Sequence, residues 1–347
     1  MVRNLFLLFF IVSMNFAFSQ LNGLTKSEFL TILKERKEQV YVFGENHINN
    51  LPEIQIELIR FLHSAQGVRI IAYEAPLIYE DILNDYILDR KDKLFLLKDA
   101  FFSFKSFKIY IDSIKSLNVK LPSSQRLEFR CFESSGLNDD RFISLLNNQY
   151  SSQLISDTSD LLPFLKSKHP EKITKNYLDT MLSITKRESL ISRKDIYFKI
   201  EKLIKEQIKS NEINSLNMKD WSKAREIALY NNILNIEKEY ASFIITTGLY
   251  HANTKLNNHI SFTSKMINED KIDVLSVMFL TLSKSKKKSN FRIINPLLSD
   301  EIKKGSFKKE TLKIVQKEDL SITNNIQTDF LFIWIKDNLS SNYFDKN

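Results

Sequence analysis

Apolar positions along the chain fall into two patterns. One is a set of short, nearly continuous apolar runs, Val40 to Phe43, Val68 to Tyr73, Leu127 to Phe132, Phe243 to Thr247, Val274 to Leu280 and Phe330 to Ile335, with Arg292 to Asn295 as a further candidate. Runs of this length without alternation predict strands buried on both faces. The other pattern has apolar residues three and four apart, as at Phe29, Leu30 and Leu33 or at Ile54, Leu58, Ile59 and Leu62. That spacing predicts helices over Lys26 to Lys37, Pro52 to Gln66, Tyr79 to Leu97, Phe104 to Leu117 and Trp221 to Tyr240, with Gly67 placed to end the second. A helix between the first two strands makes a β-α-β unit, so those strands are expected to be parallel. The whole reads as an α/β fold: a mainly parallel sheet with helices on both faces. From about 139 to 216 the spacing stays helical, lysines are frequent and no strand interrupts, which predicts a helical insertion.

Composition narrows the class. With 43% hydrophobic residues in 347 the chain has ample material for a packed core, and six glycines and six prolines leave little for flexible linkers or Gly-rich phosphate loops. Residues 1–19 read as a secretory signal: Arg3, an apolar run from Leu5 to Val12, and Ala17-Phe18-Ser19 as the small-x-small site. The mature chain from Gln20 is then a single α/β domain carrying its insertion, expected to be secreted or periplasmic. The apolar stretch is short for a bilayer core of ~30 Å, so no stable membrane span is expected after signal removal. A single cysteine, Cys131, excludes an intramolecular disulfide and reads as a buried, inert thiol. The net charge of +8 raises the question of nucleic acid, which export argues against; the run Lys284 to Lys288 reads as a solvated loop between apolar segments.

The chemistry-bearing residues gather at strand ends. Among only six glycines and five histidines, Gly-x-x-His occurs twice, at Gly44 to His47 and at Gly248 to His251, each time directly after a predicted strand. A glycine there is expected to supply a positive φ where the strand breaks into a loop. Glu45, Glu74 and Glu133 also follow strands, and in a parallel sheet the carboxyl ends of the strands share one rim. Two imidazoles and a carboxylate can hold Zn, Mn or Fe (His47, Glu74 and His251), or can activate water without a metal, with Glu45 as a second carboxylate able to act as general base. Arg225, next to Glu226 on the helix before the second motif, can bind an anion, stabilise an oxyanion or orient a carboxylate. His63, His169 and His259 have no such context and read as structural or exposed. No Gly-x-Ser-x-Gly, His-Glu-x-x-His, phosphate loop or Gly-x-Gly-x-x-Gly occurs, which argues against serine hydrolases, zincin proteases and nucleotide enzymes.

Val42-Phe43-Gly44-Glu45-Asn46-His47, Ile71-Ala72-Tyr73-Glu74, Arg225-Glu226 and Thr247-Gly248-Leu249-Tyr250-His251, in this order, resemble the superfamily that joins erythromycin esterases, ChaN-like haem-binding proteins and the Tiki/TraB proteases. The segment here is one residue shorter than the usual esterase Gly-Glu-x-Thr-His, as in ChaN-like members, and Glu226 stands where the family has Asp. The resemblance implies hydrolysis of an ester or peptide bond in a small-molecule or peptide substrate. Its alternative is haem or metal binding without turnover, with Tyr250 or Tyr79 as an axial ligand.

Overall fold

The computed structural model describes residues 24–45, 52–98, 104–134, 137–154, 159–166, 175–192, 195–254, 261–283, 311–316 and 328–336. The signal segment, His47, His169, His259, Lys284 to Lys288 and Arg292 to Asn295 lie outside them.

Among the described residues, seven strands form one sheet. β1 (Val40–Glu45), β2 (Ile70–Pro76), β3 (Glu128–Glu133), β4 (Phe243–Gly248), β5 (Val274–Ser283), β6 (Thr311–Gln316) and β7 (Phe330–Lys336) stand in the order β3-β2-β4-β1-β5-β7-β6. All pairings are parallel except β6 with β7. β1 and β2 run the same way, as the helix between them requires, but β4 returns after the insertion to lie between them. β6 escaped the sequence reading. Its sequence, TLKIVQ, carries a lysine inside the run and pairs with one neighbour only, so it lacks the continuous apolar signature of a central strand.

Alternation along each strand splits the core in two. Tyr41 and Phe43 of β1, Ile71 of β2, Phe129 of β3, Ile244 of β4 and Leu275, Val277 and Phe279 of β5 face one apolar cluster. On that side lie α1 (Lys26–Glu35), α2 (Pro52–Gln66), α3 (Glu80–Ile87) and α4 (Phe104–Asn118). The same cluster continues into the helices of the insertion, α5 (Asp139–Leu154), α6 (Leu162–Lys166), α7 (Lys175–Ser192) and α8 (Asp195–Asn214). Val40, Val42, Ile70, Ala72, Phe243, Ile245 and Met278 point the other way, under α9 (Met218–Glu239) and α10 (Phe262–Asn268). The strands read as continuously apolar because both of their faces are covered.

Two helical expectations shift. The stretch Tyr79 to Leu97 is broken: a 3₁₀ turn at Leu77–Tyr79 leads into α3, Asp89 then adopts a left-handed φ of 57°, and a second 3₁₀ turn covers Leu94–Leu97. α9 begins earlier than its apolar spacing suggests, because Asn217 caps it by accepting from the amides of Lys219 and Asp220, both at 3.2 Å.

β3 is an edge strand, and side chains satisfy part of its outer backbone. Asn84 of α3 donates to the Phe129 carbonyl at 2.9 Å and accepts from the Phe129 amide at 2.8 Å, and Glu80 accepts from the Cys131 amide at 2.9 Å. Cys131 is buried, and burial pushes its thiol well above the ordinary range, which makes it the inert residue expected. Replacing Asn84 with Ala strands both Phe129 groups at once, and chemical denaturation should show a loss of about 1–3 kcal/mol in unfolding free energy.

Candidate functional site

Four consecutive strands of the sheet, β3-β2-β4-β1, bring their carboxyl ends to one rim. Glu133 closes β3, Glu74 lies near the end of β2, Glu45 closes β1, and β4 ends at Gly248 just before His251. A register break in β2 between Tyr73 and Pro76 falls at Glu74, where an irregularity of pairing re-aims a side chain.

Arg225 binds this rim together. It stands on α9, which packs over the face carrying Glu74. Its Nη2 donates to Glu74 Oε1 at 2.7 Å and to Glu133 Oε2, its Nε reaches Glu133 Oε1 at 3.3 Å, and its Nη1 lies 3.2 Å from His251 Nε2. The other Glu74 oxygen accepts from the Thr247 hydroxyl and from the Gly248 amide, the latter at 2.7 Å. Burial alone would lower the Arg225 pKa, but the charges of Glu133 and Glu74 outweigh it and hold the guanidinium above its usual range. Arg225 is therefore a bracket for two carboxylates.

His251 lies between charges of both signs. Its Nδ1 is 2.5 Å from Glu226 Oε1 and its Nε2 is 3.5 Å from Glu74 Oε1. The ring stacks on Phe262 with centroids 5.6 Å apart and planes 9° from parallel. Glu226 is anchored in turn by the Phe262 amide, at 3.1 Å from its other oxygen. With Nδ1 protonated beside Glu226, Nε2 is placed to accept from Arg225, and with both nitrogens protonated it faces Glu74. Burial would lower the imidazole pKa, yet the charge of Glu74, followed by the contact and charge of Glu226, overcomes both burial and the repulsion of Arg225, so the net shift is upward.

Glu45 is buried on the opposite face, where its carboxylate accepts from Gln55 of α2 at 2.9 Å, while its carbonyl accepts from the Leu249 amide at 3.0 Å. The turn that carries His251 is thus tied to the end of β1. The glycine of the first motif works differently from the expectation. Gly44 lies within β1 with no positive φ, and a Cβ there would come 2.4 Å from the Cβ of Ala252. Its role is close approach of strand and turn; Gly248 is likewise within a strand, and the described glycine with positive φ is Gly67, past the end of α2.

Of the residues singled out in the sequence, Glu74, Arg225 and His251 meet directly, Glu45 joins through the backbone, and His47 lies outside the described residues. Glu133 and Glu226 are more deeply engaged than their sequence context indicated. Thr247 is the residue that was missed; a signal existed, since consecutive threonines end an otherwise apolar strand and alternation sends their hydroxyls to opposite faces. His63 is structural, with Nε2 2.7 Å from the Gln125 carbonyl.

Among the described residues, the donors as they stand do not suit a cation. Both oxygens of Glu74 are engaged by N–H and O–H donors, His251 Nδ1 faces Glu226, and Nε2 has a guanidinium beside it; among the described residues no group of three His, Cys, Asp or Glu side chains is arranged as metal ligands. Tyr79 is 2% exposed and cannot offer its hydroxyl to a haem, whereas Tyr250 is 78% exposed. No described helix is long and apolar enough to cross a membrane.

The fold and rim define a parallel α/β protein with a buried His-carboxylate-arginine network at the strand ends. No family model matches the chain, and no curated protein matches its sequence. Solved structures do. A succinoglycan biosynthesis protein aligns over 92% of this chain and 95% of its own, with a TM-score of 0.62 at 14% identity. A mutant of the erythromycin esterase EreC in its open conformation aligns over 92% of this chain and 97% of its own, with a TM-score of 0.56 at 14% identity. The chain shares the erythromycin esterase fold, the one its motifs resemble. Haem-bound ChaN of Campylobacter jejuni aligns over 90% of this chain and 92% of its own at 13% identity, but its TM-score of 0.36 carries no weight.

Two substitutions test the network. Arg225→Ala leaves Glu74 and Glu133 facing each other in a desolvated site and should cost about 3–5 kcal/mol in denaturant unfolding. Gly44→Ala should destabilise by about 1–3 kcal/mol, with much of the loss recovered in the Gly44→Ala/Ala252→Gly double variant, because the second change removes the atom the first one meets.

Proposed function

We propose that this protein is a hydrolase in which His251 Nε2 takes a proton from water that attacks an ester carbonyl. The observation that carries the reading is the His251–Glu226 contact of 2.5 Å at a rim shared by three strand-end carboxylates. Glu226 holds the Nδ1 side of the ring, so exchange occurs at Nε2 as its contact with Arg225 Nη1 gives way to water. Hydroxide adds to the carbonyl carbon as Nε2 gains the proton; the tetrahedral adduct collapses, the C–O bond of the ester breaks, and Nε2 returns the proton to the departing alkoxide. Glu74, 3.5 Å from Nε2, favours the imidazolium while it exists. Arg225 and Thr247 hold Glu74 in place for that task. His47, two residues after β1, is proposed as the second imidazole of the site, with Glu45 as a carboxylate beside it in the chain. Likeness of fold to an erythromycin esterase supports an ester before a peptide bond. We further propose that the protein acts after export, which N-terminal sequencing of the mature chain checks by a start at Gln20.

The measurement is a screen of ester hydrolysis by the wild type and by His251→Ala and His47→Ala separately. Each variant should lose at least about a hundredfold in kcat, within the usual contribution of a proton-transfer residue. Wild-type turnover in both variants removes the reading. The pH profile adds a second check. A base must be unprotonated, so the acidic limb of kcat/KM should lie above 6.5, the ordinary imidazole value, and Glu226→Gln should move it toward lower pH by removing a charge that raises the pKa. The same raised pKa makes the imidazolium a stabilising element whose contribution is full below about 6.5 and fades as pH rises through the folded-state value.

A further inference from the structure

Beside the network, on α9 and the turn before it, stand apolar side chains that the proposed chemistry does not use. Residues 218, 221 and 225 fall three and four apart, which places Met218, Trp221 and Arg225 along one flank of the first turns of α9. Met218 is 82% exposed, Leu216 just before it 43%, and Tyr250, next to His251, 78%. The Trp221 indole is fixed at two points: its Nε1 donates to Asn214 Oδ1 at 3.1 Å, and its ring lies 5.6 Å from the guanidinium carbon of Arg225. Asn214 is the last residue of α8, so the helical insertion ends by setting this indole against the residue that brackets Glu74 and Glu133. Scattered exposed apolar side chains need no explanation, but Trp221 lies against Arg225, whose Nη1 is 3.2 Å from His251 Nε2, which puts this flank of α9 next to the network. The described carboxylates beside Arg225 and His251, Glu74, Glu133 and Glu226, outnumber those two groups, so an acidic arm is repelled there and an uncharged one is not.

We propose that Trp221 and Met218 form a specificity-determining shelf that seats an apolar, uncharged acyl arm of the ester cleaved at His251. The shelf rests on the hydrolase reading for its substrate but not for its binding, and two measurements on the full chain separate the two. In the first, kcat/KM is compared for p-nitrophenyl acetate and p-nitrophenyl octanoate. The octanoate should be favoured about tenfold or more, through KM, since each buried methylene adds up to ~0.8 kcal/mol. Trp221→Ala should bring the ratio close to one, and Met218→Ser, on an exposed side chain with little part in folding, should lower it by a smaller factor. A wild-type ratio near one, or a ratio unchanged in both variants, overturns the shelf. In the second, tryptophan fluorescence is titrated with octanamide and with acetamide. Quenching by octanamide at concentrations at least tenfold below acetamide in the wild type, absent in Trp221→Phe, supports the shelf even if no ester is turned over, in which case the hydrolase reading alone falls. Equal response to both amides overturns it.

Discussion

One guanidinium sets the terms for the rim. Glu74 and Glu133 end neighbouring strands, and neither carboxylate could be buried beside the other without an opposite charge between them. Arg225 supplies that charge from a helix on the far side of the insertion, so the sheet and α9 must be docked before the two acids can be desolvated together. The same group stands 3.2 Å from His251 Nε2, which makes the state of the imidazole answer to the packing of α9. Electrostatics and architecture are therefore one constraint at this place.

What surrounds that centre is arranged in layers of support. Thr247 and the Gly248 amide occupy the second oxygen of Glu74, the Phe262 amide occupies the second oxygen of Glu226, and Gln55 holds Glu45 from the opposite face. The Leu249 amide ties the turn bearing His251 to β1. Glu74 and Glu226 each have a donor besides Arg225 or His251, so each keeps its direction independently of the charge on the imidazole.

The fold was largely legible in the sequence, and for one reason: strands covered on both faces must be continuously apolar, and helices beside them must be striped. Where that reason failed, so did the reading. β6 has one neighbour and a lysine in its run; α3 ends in an aspartate turn that apolar spacing does not encode; α9 starts at an asparagine cap ahead of its apolar stripe. At the site, strand ends marked Glu74 and His251 because parallel strands share a rim. The ranking of partners was not legible, since Glu133 and Glu226 differ from ordinary surface acids only through Arg225 and His251, which the sequence places far away or without direction. Gly44 was recognised for the wrong freedom: the space beside it is decided by Ala252, more than two hundred residues later.

Asn84 and Glu80 also bear on how this sheet behaves among other proteins. By occupying backbone groups along the outer side of β3 they leave fewer of them to template an incoming strand, so that border is guarded against β-augmentation and against edge-to-edge association. The opposite border ends in β6, whose partner on its inner side is antiparallel. Association through the border that carries Glu133 is thereby disfavoured on the side of the sheet where the charged rim lies.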